Sequence, residues 1–247
     1  MPALRSALFN VVFYLNLIFF LVVFSWLLFC PRSWAMWGLK SWATTSVWFL
    51  RAICGTRFEV RCRDNIPPGA VLIAAKHQSL FETFAVIPLL ADPAMVLKRE
   101  LMLIPLFGWF AHKFRMIPVD RGAGTTALKR LIGRAKEAVR NGRQVVIFPE
   151  GTRRAPGASP DYKPGAVALY LNLWVPCVPL ALNSGIFWPR RKFIRYPGTI
   201  IMEFLPLIPP GEPRAEFSRR LQAALEDKTA ELLAAAAKSA QVVDSRD

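Results

Sequence analysis

The feature that most constrains this chain is an uncharged stretch running from Ser6 to Pro31. Between Ala7 and Phe29 it is interrupted only by Asn10, Asn16 and Ser25. A helix rises about 1.5 Å per residue, so this stretch can cross a hydrocarbon layer of about 30 Å. A secretory signal has a shorter apolar centre behind a basic start, whereas only Arg5 precedes this one. The following segment, Ser33 to Cys54, carries Trp34, Trp37, Trp42 and Trp48 with only Lys40 and Arg51 charged. Tryptophan favours the lipid–water boundary, so the two segments together predict a two-helix membrane anchor over residues 1–54, either a hairpin that dips in and returns or one span followed by an interfacial helix. Arg51, Arg57, Arg61 and Arg63 cluster just after it, which places the remainder on the cytoplasmic side.

Residues 55–247 change character, with short apolar runs alternating with helical stretches, the signature of an α/β domain. Strands are expected at Arg57–Arg61, Val71–Ala75, Ala94–Leu97, Met116–Val119, Gln144–Phe148, Cys177–Leu182 and Thr199–Phe204. A helix is expected over Thr125–Arg140, where Leu128, Leu131, Ile132, Ala135 and Val139 form one apolar face and Asn141-Gly142 supplies the stop. A last amphipathic helix, Phe217 to Gln241, should pack back through Phe217, Leu221 and Leu225.

The formal net charge of +15 demands an anionic partner: nucleic acid, anionic lipid or a phosphorylated metabolite. No zinc-ligand spacing, basic heptad region or aromatic RNA-binding motif accompanies the charge, which favours lipid over nucleic acid. Cys30, Cys54, Cys62 and Cys177 form no C-x-x-C pair and read as reduced, packed thiols rather than a disulfide framework or a metal site.

The sequence has two histidines. His77 follows the apolar run Val71–Ala75 and precedes Gln78-Ser79-Leu80-Phe81-Glu82, a strand end turning into a helix start, where α/β proteins bind ligands. Ser79 and Glu82 have the spacing of a capping box, in which the carboxylate folds back toward the helix start. The same fold-back aims Glu82 at His77, so a cap and a His–Glu dyad are compatible. After the apolar strand at Gln144 comes Phe148-Pro149-Glu150-Gly151-Thr152-Arg153. A carboxylate, a flexible Gly, a hydroxyl and an Arg at a second strand end suit a polyol phosphate, although a polar surface turn has the same composition. His112, in the aromatic stretch Trp109–Phe114, reads as an ordinary packed or interfacial side chain.

Five ordered blocks carry a resemblance. They are Val-x-x-Ala-Lys-His77-Gln-Ser-x-x-Glu82, then Lys98-Arg-Glu-Leu with Pro105 and Gly108, Ile117-Pro-Val-Asp120-Arg121, Phe148-Pro-Glu-Gly-Thr-Arg153 and Val175-Pro-Cys-Val-Pro179. Over roughly residues 70 to 185 the chain resembles the 1-acylglycerol-3-phosphate acyltransferases. The resemblance implies a mixed sheet flanked by helices behind the two-helix anchor, and a catalytic histidine oriented by an acid. It assigns His77 as base and Glu82 as orienter, where the family more often has Asp. It assigns Arg121, Glu150, Gly151, Thr152 and Arg153 to holding the glycerol phosphate, with Lys98 as a further phosphate partner.

The chemistry so implied is direct transfer. His77 takes the proton of a lyso-lipid hydroxyl as it attacks an acyl thioester, and backbone N–H groups near the helix start hold the oxyanion. No cofactor is required beyond acyl-CoA or acyl carrier protein as co-substrate, and the sequence leaves open which of the two. Two other readings stay open: an acyltransferase for another lyso-lipid, such as a lyso-ornithine lipid or a lysophospholipid, and a non-catalytic membrane lipid-binding protein.

Overall fold

The computed structural model describes residues 2–120 and 124–244. Helices α1 (Pro2–Val23) and α2 (Arg32–Cys54) form a hairpin through a single turn at Ser25–Leu28, and β1 (Thr56–Arg61) follows directly. Gly55, at φ +72°, closes α2 in the left-handed region that suits glycine, its N–H donating to the Arg51 carbonyl. The chain continues as β2 (Val71–Ala75), α3 (Phe81–Ala85), β3 (Pro93–Lys98), α4 (Phe107–Lys113) and β4 (Ile117–Val119). Then come α5 (Gly124–Arg140), β5 (Gln144–Ile147), α6 (Pro164–Leu173), β6 (Cys177–Leu182), α7 (Ser184–Phe187), β7 (Gly198–Phe204) and α8 (Arg214–Asp244).

The seven expected strands are all present and form one sheet in the order β1-β7-β6-β2-β5-β3-β4. Neighbours are parallel except β6 and β7, so the β1–β7 pair runs against the other five strands. The central strands are buried along their whole length, as continuous runs such as Val71-Leu72-Ile73-Ala74-Ala75 require in a sheet covered on both faces. One face packs on α1, α2, α3 and α4. The other packs on α5, α6 and the start of α8, where Phe217, Leu221 and Leu225 are buried and Phe217 stacks on Tyr170.

Of the two expected anchor helices, the first, α1, alone has the length and hydropathy of a span, and among the described residues no other helix does. It exposes Leu4, Leu8, Val11, Leu15, Ile18 and Val22 and buries Phe9 and Phe13. Helix α2 lies between α1 and the sheet and buries Ala35, Met36, Ala43, Leu50 and Cys54. Its polar groups have protein partners: Asn16 of α1 donates to Thr45 and Ser46, and the Lys40 ammonium donates to the Leu90 and Ala91 carbonyls. Trp42 packs on Phe13 and Phe84, while Trp34, Trp37 and Trp48 remain exposed. Sparse charge and abundant Trp made α2 look like a lipid helix, whereas half of its circumference serves the core.

Candidate active site

Strands β2 and β5 are adjacent and in parallel register, Ala74 opposite Ile147, so the loops leaving their C-terminal ends meet. One carries Lys76, His77, Gln78 and Ser79, and the other starts at Phe148. The His77 ring lies flat on Phe148, with centroids 4.1 Å apart at 22°. The Arg154 N–H donates to the His77 carbonyl at 2.8 Å and ties the two loops together.

Glu82, in the first turn of α3, is wholly buried. Its Oε1 accepts from the Gln78 N–H at 2.7 Å, the Ser79 N–H at 2.6 Å and His77 Nδ1 at 2.9 Å. Its Oε2 accepts from the Ser184 hydroxyl at 2.7 Å. One carboxylate therefore caps the helix start and orients the imidazole. Because it acts purely as acceptor, the ring proton sits on Nδ1 and Nε2 is left with a free lone pair. Ser79 departs from the expected box: its Oγ accepts from the Phe81 N–H at 3.2 Å, and α3 begins one residue later than the motif suggests. Of the backbone N–H groups near the helix start, those of Gln78 and Ser79 are committed to Glu82.

Glu150 also takes a different place from the expected one. It is 1% exposed, with Oε1 accepting from the Lys76 ammonium at 3.0 Å and Oε2 from the His77 N–H at 3.3 Å. Burial pushes its carboxyl up from the usual range, and the Lys76 contact works against that. Lys76 itself is buried, donates to Glu226 at 2.6 Å and lies over the Tyr162 ring, whose hydroxyl donates to Glu226. Glu150 thus fixes the backbone of the His77 loop from below instead of facing a ligand. The motif spacing could not show this, because an inward and an outward carboxylate read alike.

Gly151, at φ +63°, turns the chain after Glu150, and Thr152 and Arg153 follow, half-buried. The guanidinium of Arg153 has no partner among the described residues, while its carbonyl accepts from Arg190 at 2.6 Å. Lys98 ends β3, beyond β5, half-exposed and paired with Glu100 at 3.0 Å. Arg121 lies outside the described residues. The structure therefore gathers His77, Glu82, Glu150 and the Gly151–Arg153 turn around one crevice. It adds Lys76 and Ser184, which sequence reasoning missed. Lys76 stood beside His77 without a visible partner, and nothing in the sequence points from Ser184 to Glu82.

An apolar cavity of ≈ 320 Å³ opens beside Phe148 and Leu80 and runs between the helical hairpin and the sheet, past Phe13, Trp42 and Phe84, to Phe114 and Met116. Its volume falls in the range of small-ligand pockets, and its walls suit an unbranched hydrocarbon.

The sequence profile of the acyltransferase family matches residues 57–183, which span β1 to β6 and the loops that carry His77 and Glu150. A 1-acyl-sn-glycerol-3-phosphate acyltransferase of Pseudomonas aeruginosa is 37% identical over 198 residues, covering 78% of this chain and 77% of that protein. The chain belongs to the acyltransferase family. Other relatives in the family include a lyso-ornithine lipid O-acyltransferase of the same organism, 29% identical and covering 72% of this chain and 75% of that one. The human 1-acyl-sn-glycerol-3-phosphate acyltransferase beta is 29% identical, covering 66% of this chain and 60% of its own length. The crystal structure of the 1-acyl-sn-glycerophosphate acyltransferase PlsC from Thermotoga maritima superposes with a TM-score of 0.76 over 94% of this chain and 99% of that one, at 19% identity. The acyltransferase fold therefore includes the helical hairpin as well as the sheet.

In this acyltransferase Glu82→Gln separates the two duties of the carboxylate. Glutamine can still accept from the Ser79 N–H, and Ser184 can turn its hydroxyl to accept from the new amide. The melting temperature should move little, while kcat falls about 100-fold or more because the charge opposite the imidazolium is gone. Ser184→Ala should instead cost about 1–3 kcal/mol in denaturant unfolding, as Glu82 loses a buried donor.

Proposed function

We propose that this O-acyltransferase moves a fatty acyl group from an acyl thioester to the free hydroxyl of 1-acylglycerol 3-phosphate, giving phosphatidic acid. The observation that carries the reading is the His77–Glu82 pair stacked on Phe148, a residue that lines the hydrocarbon-walled cavity. The names of the relatives agree with it.

The acyl chain of the donor lies in the cavity, which brings its thioester carbonyl to a stop near His77. Each methylene so buried contributes about 0.8 kcal/mol, so the chain rather than the head of the donor supplies most of the binding. Nε2 of His77 takes the hydroxyl proton of the acceptor as its oxygen attacks the carbonyl carbon. Glu82 stabilises the resulting imidazolium through Nδ1–H. Collapse of the tetrahedral intermediate breaks the C–S bond, and the thiolate leaves with the proton carried by Nε2. Because the donor is already activated, no enzyme-bound acyl intermediate is needed. Arg153 grips the acceptor phosphate, with Arg121 and Lys98 as further cationic contacts and Thr152 as a hydroxyl donor. Helix α1 anchors the enzyme in the membrane, and the sheet with its catalytic crevice faces the cytoplasm.

The test is an assay of the detergent-purified protein with acyl-CoA and with acyl carrier protein, each against 1-acylglycerol 3-phosphate, a lysophospholipid with a larger head group and a lyso-ornithine lipid. Rapid acylation of 1-acylglycerol 3-phosphate alone supports the proposal, and preference for either other acceptor overturns it. Arg153→Ala should raise KM for the phosphate acceptor about tenfold or more and leave KM for the donor nearly unchanged, with only partial rescue by lysine.

A further inference from the structure

At the opposite end of the strands from the catalytic crevice is a second cleft, of ≈ 600 Å³, where α4, α5 and the start of α2 meet. Arg32, Lys113, Arg115, Arg134 and Arg143 line it, with Glu137 as the carboxylate in its walls. Two of the five cations are already neutralised. Arg32 binds both oxygens of Asp92, and Arg143 is paired with the same carboxylate at 3.2 Å. Lys113, Arg115 and Arg134 have no carboxylate partner among the described residues. Arg115 is held at φ +51°, in the left-handed region that a side-chain-bearing residue adopts only at a cost.

The surroundings of the cleft are those of a membrane interface. Helix α4 presents Trp109, 59% exposed, one turn before Lys113 and on the same face. Helix α2 begins at Arg32 and exposes Trp34 and Trp37 in its next turns. Leu103 and Ile104, just before α4, are exposed as well. Exposed tryptophans beside unpaired cations match the head-group layer of a bilayer, where rings sit at the boundary and basic side chains meet phosphate.

We infer that this cleft is a non-catalytic binding site for the phosphate of an anionic phospholipid head group. About 15 Å of strand separates it from His77, so its occupant is not the acyl acceptor. The inference rests on membrane attachment through α1, but not on which reaction the enzyme carries out. A soluble phosphate shares the chemistry, but the apolar and aromatic rim favours a lipid as its source.

The full-length enzyme in neutral maltoside micelles at low ionic strength is titrated calorimetrically with dihexanoyl phosphatidylmethanol, which is anionic and has no hydroxyl to acylate. Dihexanoyl phosphatidylcholine and inorganic phosphate serve as parallel ligands. Removal of the charges at Lys113→Gln, Arg115→Gln and Arg134→Gln should weaken binding of the anionic lipid about fivefold each, and on the order of a hundredfold together. A control neutralising Arg130, Lys136 and Arg140, which lie on α5 outside the cleft, should keep affinity within about twofold. All six side chains are at least partly exposed, so both variants should melt as the parent does. Equal losses in the two variants, or equal affinity for the phosphatidylcholine, would overturn the inference. Binding of inorganic phosphate as tight as that of the lipid would reassign the cleft to a soluble anion. A cleft variant that loses affinity for acidic acyl carrier protein while keeping the lipid would also overturn the inference and make the cleft a protein-docking site.

Discussion

Replacement of His77 by alanine is expected to abolish acyl transfer without unfolding the protein. The side chain is packed flat on Phe148 and bonded to Glu82, yet its loop is held by backbone contacts that survive the change: the Arg154 N–H to the His77 carbonyl and the His77 N–H to Glu150. Loss of a general base costs about 10²- to 10⁴-fold in rate. His77→Gln should be equally inactive, because an amide, although its NH2 can still donate to Glu82, has no basic nitrogen to take the hydroxyl proton. The check is single-turnover transfer alongside a thermal melt in the same detergent. Retention of more than about a tenth of the parental rate would remove His77 from the proton-transfer step.

The second large effect is structural and lies one residue earlier. Lys76→Ala should destabilise the enzyme by about 3–5 kcal/mol, since it leaves the buried Glu150 carboxylate with the His77 N–H as its remaining donor. Activity should fall with stability, because the His77 backbone loses its support. The double variant Lys76→Met, Glu150→Gln offers the informative comparison. It removes both charges, keeps an acceptor for the His77 N–H and should recover most of the lost stability in denaturant unfolding. If the double variant is as unstable as the two single losses added together, the ion pair is not coupled and the loop is supported elsewhere.

What could be read from the sequence tracks the range of the interactions concerned. All seven strands were legible because each is a short apolar run ended by polar or turn-forming residues. The dyad was legible because His77 and Glu82 are five residues apart and meet through a helix cap. Lys76 with Glu226, and Ser184 with Glu82, join residues 150 and 102 positions apart, and no local pattern encodes such partners. The inward turn of Glu150 escaped for the same reason, since only Lys76 across the β2–β5 junction reveals it. Helix α2 was legible only on its exposed face, because composition reports what a surface could touch, while its Asn16, Leu90 and Ala91 partners decide what its other face does touch.

The pairing of β1 with β7 has a consequence for how the enzyme is made. Thr56 of β1 meets Gly198 of β7, so roughly 140 residues must be synthesised before the strand nearest the hairpin finds its partner, on the order of ten seconds of elongation. During that interval the hairpin and β1 have already left the ribosome, and β1 has no neighbour in the sheet. A nascent chain stalled before Phe204 carries an unpaired strand, a feature that recruits chaperones and invites aggregation. Protease resistance should therefore not appear in a ribosome-release series before β7 has emerged, and should be complete only once α8 has buried Phe217, Leu221 and Leu225 against the second face of the sheet.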